Sequence, residues 1–232
     1  MTSLIAKLNP PAGMAGRLNI ELAGTFVLVL SGILVACSGA PGPVVAATFG
    51  VVLVHLAYAF GPRSGGHFNP AVTLAFLLLG KQKLVEAVAY MIVQTIGATG
   101  ATLFVKLALP SASAQQGKYG LTTLADGFSW YQLILLEGVA TLILIVTILF
   151  VTATQDVPSS VAGVAIGSAL GGGIVAIGPY TGGGLNPARV IGPMLITGNY
   201  DSLWAYLVAH VGASVLAGSF FFLLKDTQPP SA

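Results

Sequence analysis

Two Asn-Pro-Ala triplets, at positions 69–71 and 186–188, are the clearest candidates for a functional site. Asn is a favourable N-cap, and Pro suits the first helical position because no N–H donor is needed there. Each triplet therefore predicts the start of a short helix whose N terminus carries a partial positive charge. The side chains of Asn69 and Asn186 add amide N–H donors. Such a pair would bind neutral polar molecules and oppose cations.

The other candidate residues do not form a catalytic or metal-binding set. The three histidines are scattered without the spacing of metal ligands, and Cys37 is the single cysteine, which excludes an intrachain disulfide. No nucleophile stands beside a base, so we expect no enzyme, no metal and no cofactor. Glu21, Glu137 and Arg189 are charged residues inside apolar stretches. If its stretch lies within a membrane, the charge of Arg189 costs about 2.5–3.5 kcal/mol on insertion scales, and such residues are usually functional.

The composition predicts a membrane protein. Hydrophobic residues make up 55% of the 232 residues and charged residues only 7%, with a mean hydropathy of +0.90. Soluble domains carry roughly 25% charge, so a soluble enzyme, a nucleic-acid binder and a disordered chain are all excluded. The net charge of +2 is too small to imply an anionic partner.

The charged residues divide the chain into stretches long enough to cross a bilayer as helices, which takes about 20 mostly apolar residues. Two further apolar stretches, 69–79 and 186–196, are too short and predict re-entrant segments buried in protein. The connection at 106–129 is predicted to be a loop. The predicted spans are 18–36, 44–60, 87–105, 130–152, 158–178 and 202–224.

Lysine and arginine predict the orientation, because they concentrate on the cytoplasmic side. Lys106 and Lys118 fall on one side of a six-span arrangement. Both termini are therefore predicted to be cytoplasmic, and the first span lacks the pattern of a cleaved signal peptide. The basic residues on the other, predicted cytoplasmic, side are Lys7, Arg17, Arg63, Lys81, Lys83 and Lys225.

The sequence contains an internal repeat, predicted as residues 1–112 and 113–232. Residues 65–72 match residues 182–189, the two Asn lie 117 positions apart (69 and 186), and the two Glu lie 116 apart (21 and 137). Each half has three spans, so the halves must be inverted in the membrane. Inverted repeats with broken helices place a functional site near the bilayer midplane.

These motifs resemble the aquaporin family, also called major intrinsic proteins. The resemblance rests on the paired triplets, the Gly-Gly-His at 65–67, Arg189 after the second triplet, and the two Glu. It implies an all-α membrane protein with six transmembrane helices and two re-entrant half-helices. It also implies one pore per protomer, a homotetramer, and passage of water and small neutral solutes. In the family, Glu21 and Glu137 would hold the backbone of the re-entrant loops.

Alignment to the family implies that Phe49, Ile174, Gly183 and Arg189 form an outer constriction, with His67 bracing the first loop. Water-selective members usually carry His at the position of Ile174, so this constriction is predicted to be wider and more apolar. The set is most similar to the archaeal branch, while its Ile-Gly-Arg part also resembles plant vacuolar members. We therefore expect water first, with glycerol, ammonia, urea or dissolved gases as further solutes.

Other interpretations remain open for several of these features. A secondary transporter would also have inverted repeats, but would normally need more acids at membrane depth. The two Glu could relay protons, His67 could gate with pH, and Arg189 could reach toward the interface. A packing role is predicted for His55. His210 stands where the family usually has Pro, and the sequence offers no reason for it.

Overall fold

The computed structural model describes residues 13–153 and 158–225. The six predicted spans are confirmed, because six of its helices are long and apolar enough to cross a membrane. Lys7 lies outside the described residues. The spanning helices are α1 (Met14–Cys37), α2 (Gly42–Ser64), α4 (Leu84–Ala108), α6 (Trp130–Ala153), α7 (Ser159–Thr181) and α9 (Leu203–Lys225).

Several helices extend beyond the predicted spans. Helix α1 begins at Met14 rather than at residue 18, and α4 ends at Ala108 rather than at residue 105. The sequence prediction stopped at charged residues, whereas a helix can continue past Arg17 or Lys106 because long basic side chains reach the interface. A membrane helix is therefore longer than its uncharged core.

Two short helices complete the inverted repeat of three spans. Helix α3 (Pro70–Leu78) follows α2, and α8 (Pro187–Thr197) follows α7. The halves pack together closely where α2 crosses α7. A Cβ atom on Gly50 would lie 2.7 Å from the carbonyl oxygen of Gly167 and 3.3 Å from the Cα of Gly171. Small residues at this spacing permit such close helix packing.

The connection between α4 and α6 is more structured than the predicted loop. It contains helix α5 (Ser111–Gln116) and a 3-10 turn at Lys118–Gly120. Helix α5 follows Pro110, which suits the start of a helix, and the turn contacts α1, α4 and α8. The connection thereby carries backbone groups to the region of the second re-entrant helix.

Candidate functional site

The two Asn side chains cap the short helices. Asn69 Oδ1 accepts a hydrogen bond from the backbone N–H of Ala71 at 2.9 Å. Asn186 Oδ1 accepts one from the N–H of Ala188, also at 2.9 Å. The caps satisfy donors that a helix start leaves free, so each triplet begins its helix as the sequence predicts.

The same two side chains join the halves of the repeat. Asn69 Nδ2 donates to the carbonyl oxygen of Leu185, and Asn186 Nδ2 donates to that of Phe68, each at 2.8 Å. An amide nitrogen carries two hydrogens, so each Asn retains a second N–H after this bond. Both Asn also line one cavity. The structure thus brings two amide donors together at one place.

Glu21 is fully buried and binds the first re-entrant loop. Its Oε1 accepts hydrogen bonds from Ser64 Oγ at 2.7 Å and the N–H of His67 at 3.0 Å. Its Oε2 accepts from the N–H of Phe68 at 2.7 Å and from Gln94 Nε2 at 2.8 Å. Four donors satisfy a carboxylate that would otherwise be costly to bury.

Glu137 makes the corresponding contacts in the second half. Its Oε1 accepts hydrogen bonds from Thr181 Oγ1 and the N–H of Gly184, both at 2.7 Å. Its Oε2 accepts from the N–H of Leu185 at 2.8 Å and lies 3.0 Å from His210 Nε2. The fourth partner is therefore an imidazole, where the first half has an amide.

This pairing accounts for His210, whose role the sequence analysis left open. Gln94 and His210 are 116 positions apart, the same offset as Glu21 and Glu137. That offset was the signal that could have identified His210 as a partner of Glu137. The imidazole is fully buried, and its Nδ1 has no hydrogen-bond partner among the residues described.

We expect His210→Leu to destabilise the protein, because Glu137 would lose one donor in a fully buried position. An unmade hydrogen bond of this kind costs about 1–3 kcal/mol. His210→Gln should retain the parent stability, since Gln94 serves the same purpose in the first half. Thermal unfolding of the purified protein in detergent would test this. Equal melting temperatures for His210→Leu and the parent would show that the contact contributes nothing.

Arg189 is nine-tenths buried and is fixed on two sides. Its Nη1 donates to the carbonyl oxygen of Gly120, in the 3-10 turn. Its Cζ lies 5.4 Å from the centroid of the Phe49 ring, within the range of a cation–π contact. It pairs with no carboxylate in the part of the chain that the structure describes. The guanidinium is thus an unneutralised positive charge held beside an aromatic ring.

The other two residues predicted at the constriction also lie together. A Cβ atom on Gly183 would be 3.0 Å from Ile174 Cγ2, and both residues are buried. The structure therefore brings together Phe49 with Arg189, and Ile174 with Gly183. It adds the Gly120 carbonyl, which sequence analysis missed because a backbone oxygen leaves no signature in residue type.

His67 precedes the first triplet and contacts the short helix α3. Its Nδ1 is 3.1 Å from Thr73 Oγ1, and its ring centroid is 4.6 Å from that of Phe76. His67 also lines the cavity that both Asn line. These contacts fix the orientation of the imidazole, while its role in solute passage stays a prediction.

The cavity has a volume of about 580 Å³ and extends from the two Asn along α2 and α7. Its polar groups are few, and most of its wall is apolar, as is typical of a site for small molecules. Aliphatic residues that line it include Leu28, Leu53, Val72, Leu144, Ile148, Ile166 and Leu170.

Comparison with known proteins agrees with this architecture. Residues 13–221 match the model of the major intrinsic protein family. "Glycerol uptake facilitator protein-like 6" of Lactiplantibacillus plantarum is 36% identical over 85% of this chain and 92% of its own length. A probable aquaporin of Archaeoglobus fulgidus is 32% identical over 92% of this chain and 98% of its own length.

A solved structure shares the fold at lower identity. The X-ray structure of the aquaglyceroporin from Plasmodium falciparum matches with a TM-score of 0.74 at 21% identity. The match covers 90% of this chain and 96% of that chain. This likeness shows a shared fold, and the family match over residues 13–221 shows the family. The chain belongs to the major intrinsic protein family, whose members are passive membrane channels for water and small solutes rather than enzymes.

Proposed function

We propose that this channel conducts water first and also admits small neutral solutes such as glycerol, ammonia, urea and dissolved gases. The observation that carries this proposal is the pair of Asn amides at one end of a mostly aliphatic cavity. Each amide keeps one N–H beyond the bond to a loop carbonyl. A water molecule or hydroxyl oxygen passing the pair would find two donors there and little else to bind.

The same arrangement supports exclusion of protons and ions. A water held by Asn69 and Asn186 must turn its own hydrogens away from them, which interrupts a chain of hydrogen bonds that could carry protons. The N termini of α3 and α8 add partial positive charges that oppose cations. An ion would also lose its hydration in a narrow apolar passage at a cost of several kcal/mol.

We further propose that Phe49, Ile174, Gly183 and Arg189 form the narrowest part of the path, called here the constriction. Its wall opposite the guanidinium would carry an aliphatic chain and a bare glycine instead of an imidazole. Such a wall passes larger neutral solutes more readily than one that offers a second donor. Relatives named as a glycerol uptake facilitator and as a probable aquaporin are consistent with this range.

Stopped-flow light scattering on proteoliposomes tests the proposed function. Water, glycerol, urea and ammonia would each be driven into vesicles with equal protein content, and we expect faster entry than into empty vesicles. Flux should rise in proportion to the solute gradient. Saturating flux would instead indicate the secondary transporter considered above, and entry no faster than into empty vesicles would contradict the proposal.

We propose the cell membrane as the location, with cytoplasmic termini. Arg17 pairs with Glu86, which joins the starts of α1 and α4 at one end of the bundle. At this end Lys81 Nζ also lies 5.0 Å from the ring of Phe221, near the end of α9. Lys106 and Lys118 border a common pocket at the other end. A C-terminal tag should accordingly be cleavable only in inside-out vesicles.

The exposed face of α2 and α7 supports a homotetramer. His55 is exposed midway along α2, so the packing role predicted for it would require contacts outside this chain. An ionisable residue at membrane depth rarely faces lipid. On the adjacent α7, exposed Ser168, Gly172 and Ala176 are spaced four apart. Small residues at that spacing let another helix approach closely, so we propose that a second copy covers this face.

We expect Gly172→Leu to dissociate the tetramer, because nothing lies within 4 Å of a Cβ atom at this position and the larger side chain would project into the neighbouring copy. Gly212→Leu is the matched control, since position 212 on α9 is equally open. Light scattering coupled to size-exclusion chromatography in detergent measures the mass. A monomeric parent would refute the tetramer, and a tetrameric Gly172→Leu would refute this face as its interface.

A further inference from the structure

Helix α1 touches the proposed constriction from behind. Gly32 on this helix lies directly against the ring of Phe49: an added Cβ atom would overlap ring atoms Cε2 and Cζ and lie 2.7 Å from Cδ2. Carbon atoms normally approach to about 3.5–4.0 Å. The ring therefore occupies space that exists only because residue 32 has no side chain.

The next residue of α1, Ile33, packs against Gly120, whose carbonyl oxygen holds Arg189. A side chain at Gly120 would overlap Ile33 Cγ1 and Cδ1, so these two residues are in close contact. Gly120 has a φ of 78°, a conformation that favours glycine, and its carbonyl oxygen accepts the hydrogen bond from Arg189. One turn of α1 thus lies against both the ring and the anchor of the guanidinium.

We propose that Gly32 is a positioning residue that determines how far the Phe49 ring withdraws from Arg189, and therefore which neutral solutes pass. This inference rests on the proposed function, because it takes Phe49 and Arg189 to line the constriction. The ring is almost fully buried, so packed protein surrounds most of it. A methyl group on residue 32 would lie 2.1 Å from the nearest ring atoms, so the ring would have to move by about 1.5 Å to restore a normal contact. If Phe49 lines the proposed constriction, its side away from Gly32 faces the lumen, and we expect the ring to move in that direction.

A shift of this size affects large solutes more than water. Glycerol needs a wider passage, so its barrier rises more steeply as the cross-section falls. We expect Gly32→Ala to lower the ratio of glycerol to water permeability by about fivefold, because permeability follows barrier height exponentially. Phe49→Leu should raise the ratio, since it removes the ring. The double variant Gly32→Ala/Phe49→Leu should have a ratio near that of Phe49→Leu, because the ring that residue 32 displaces is gone.

The experiment measures glycerol and water permeability in proteoliposomes for the parent, both single variants and the double variant. Gly212→Ala serves as the control, because a Cβ atom there meets nothing within 4 Å. Its ratio should equal that of the parent. Equal loss of both permeabilities in Gly32→Ala, with no recovery in the double variant, would mean a packing defect and would overturn the proposal.

The design separates failure of this inference from failure of the proposed constriction. An unchanged ratio in Phe49→Leu would show that the ring does not line the path, which removes the proposed constriction itself. A changed ratio in Phe49→Leu with an unchanged ratio in Gly32→Ala would overturn only the role of Gly32. If Gly32→Ala does not fold, the double variant should fold again, because the overlapping ring atoms are absent, and its ratio should equal that of Phe49→Leu. A double variant that also fails to fold, or whose ratio falls below that of Phe49→Leu, would overturn the role of Gly32.

Discussion

Arg189→Val should admit protons and small cations while leaving water flux within about twofold of the parent. The guanidinium is a buried positive charge without a carboxylate partner in the described ranges, 13–153 and 158–225. A unit charge 4 Å away opposes a cation by about 4 kcal/mol at an effective dielectric constant of 20. That energy corresponds to about a thousandfold in rate. The Asn caps remain as a second barrier, so we expect the smaller increase of about tenfold or more in proton conductance.

Proton entry into vesicles loaded with a pH-sensitive dye measures this effect, with potassium and valinomycin to clamp the potential. Arg189→Lys is the matched control, because it keeps the charge while losing the planar fork that bonds the Gly120 carbonyl. It should remain closed to protons. If Arg189→Val excludes protons as well as the parent does, Arg189 does not contribute to the cation barrier. The barrier would then arise from the Asn-capped helices.

The arrangement of the helices could be predicted from the sequence because a small number of strong constraints govern membrane helices. A span needs a stretch without charges, and the cluster Ser-Gly-Ala-Pro-Gly-Pro at 38–43 divides the first long stretch in two. The Asn-Pro dipeptides at 69–70 and 186–187 predict where the short helices begin. Helix ends were less predictable, because Arg17 and Lys106 are compatible with helix at the interface although they break an apolar stretch.

The polar contacts were predictable only in part. The offset between the repeats predicts that residue 210 contacts Glu137, as Gln94 contacts Glu21. The residue at that position is His rather than Gln, however. Motif comparison looks for identical residues and misses an imidazole that replaces an amide. The Gly120 carbonyl shows a stricter limit. Any residue supplies a carbonyl, so only the three-dimensional course of the chain reveals which one reaches the guanidinium.

The contact between Gly32 and the ring of Phe49 could not be predicted from the sequence either. A glycine in a membrane helix is ordinary, and sequence alone does not say what occupies the space beside it. The alignment that proposes Phe49 for the constriction compares side chains around the lumen. It does not register the residue behind them, although the space behind a ring limits where that ring can lie.

Ile174→His should narrow the proposed constriction. Ile174 lies against Gly183, so an aliphatic chain and a bare backbone form this part of the proposed wall. An imidazole at position 174 should narrow the passage and offer water a donor that isoleucine lacks. Glycerol is larger than water, and its barrier depends more on free cross-section. We expect the ratio of water to glycerol permeability to rise by about tenfold, chiefly through slower glycerol, which corresponds to about 1.4 kcal/mol in barrier height.

Two further variants separate the donor from the width. Ile174→Phe narrows the passage without adding a donor. It should therefore slow both glycerol and water, and its effect on water should be larger than that of Ile174→His. Ile174→Leu conserves volume and should leave both permeabilities near the parent. Water and glycerol entry must be measured in the same proteoliposomes and normalised to protein content. A ratio in Ile174→His equal to that of the parent would place residue 174 outside the constriction. It would also invalidate the alignment that counts it 12 positions before Asn186.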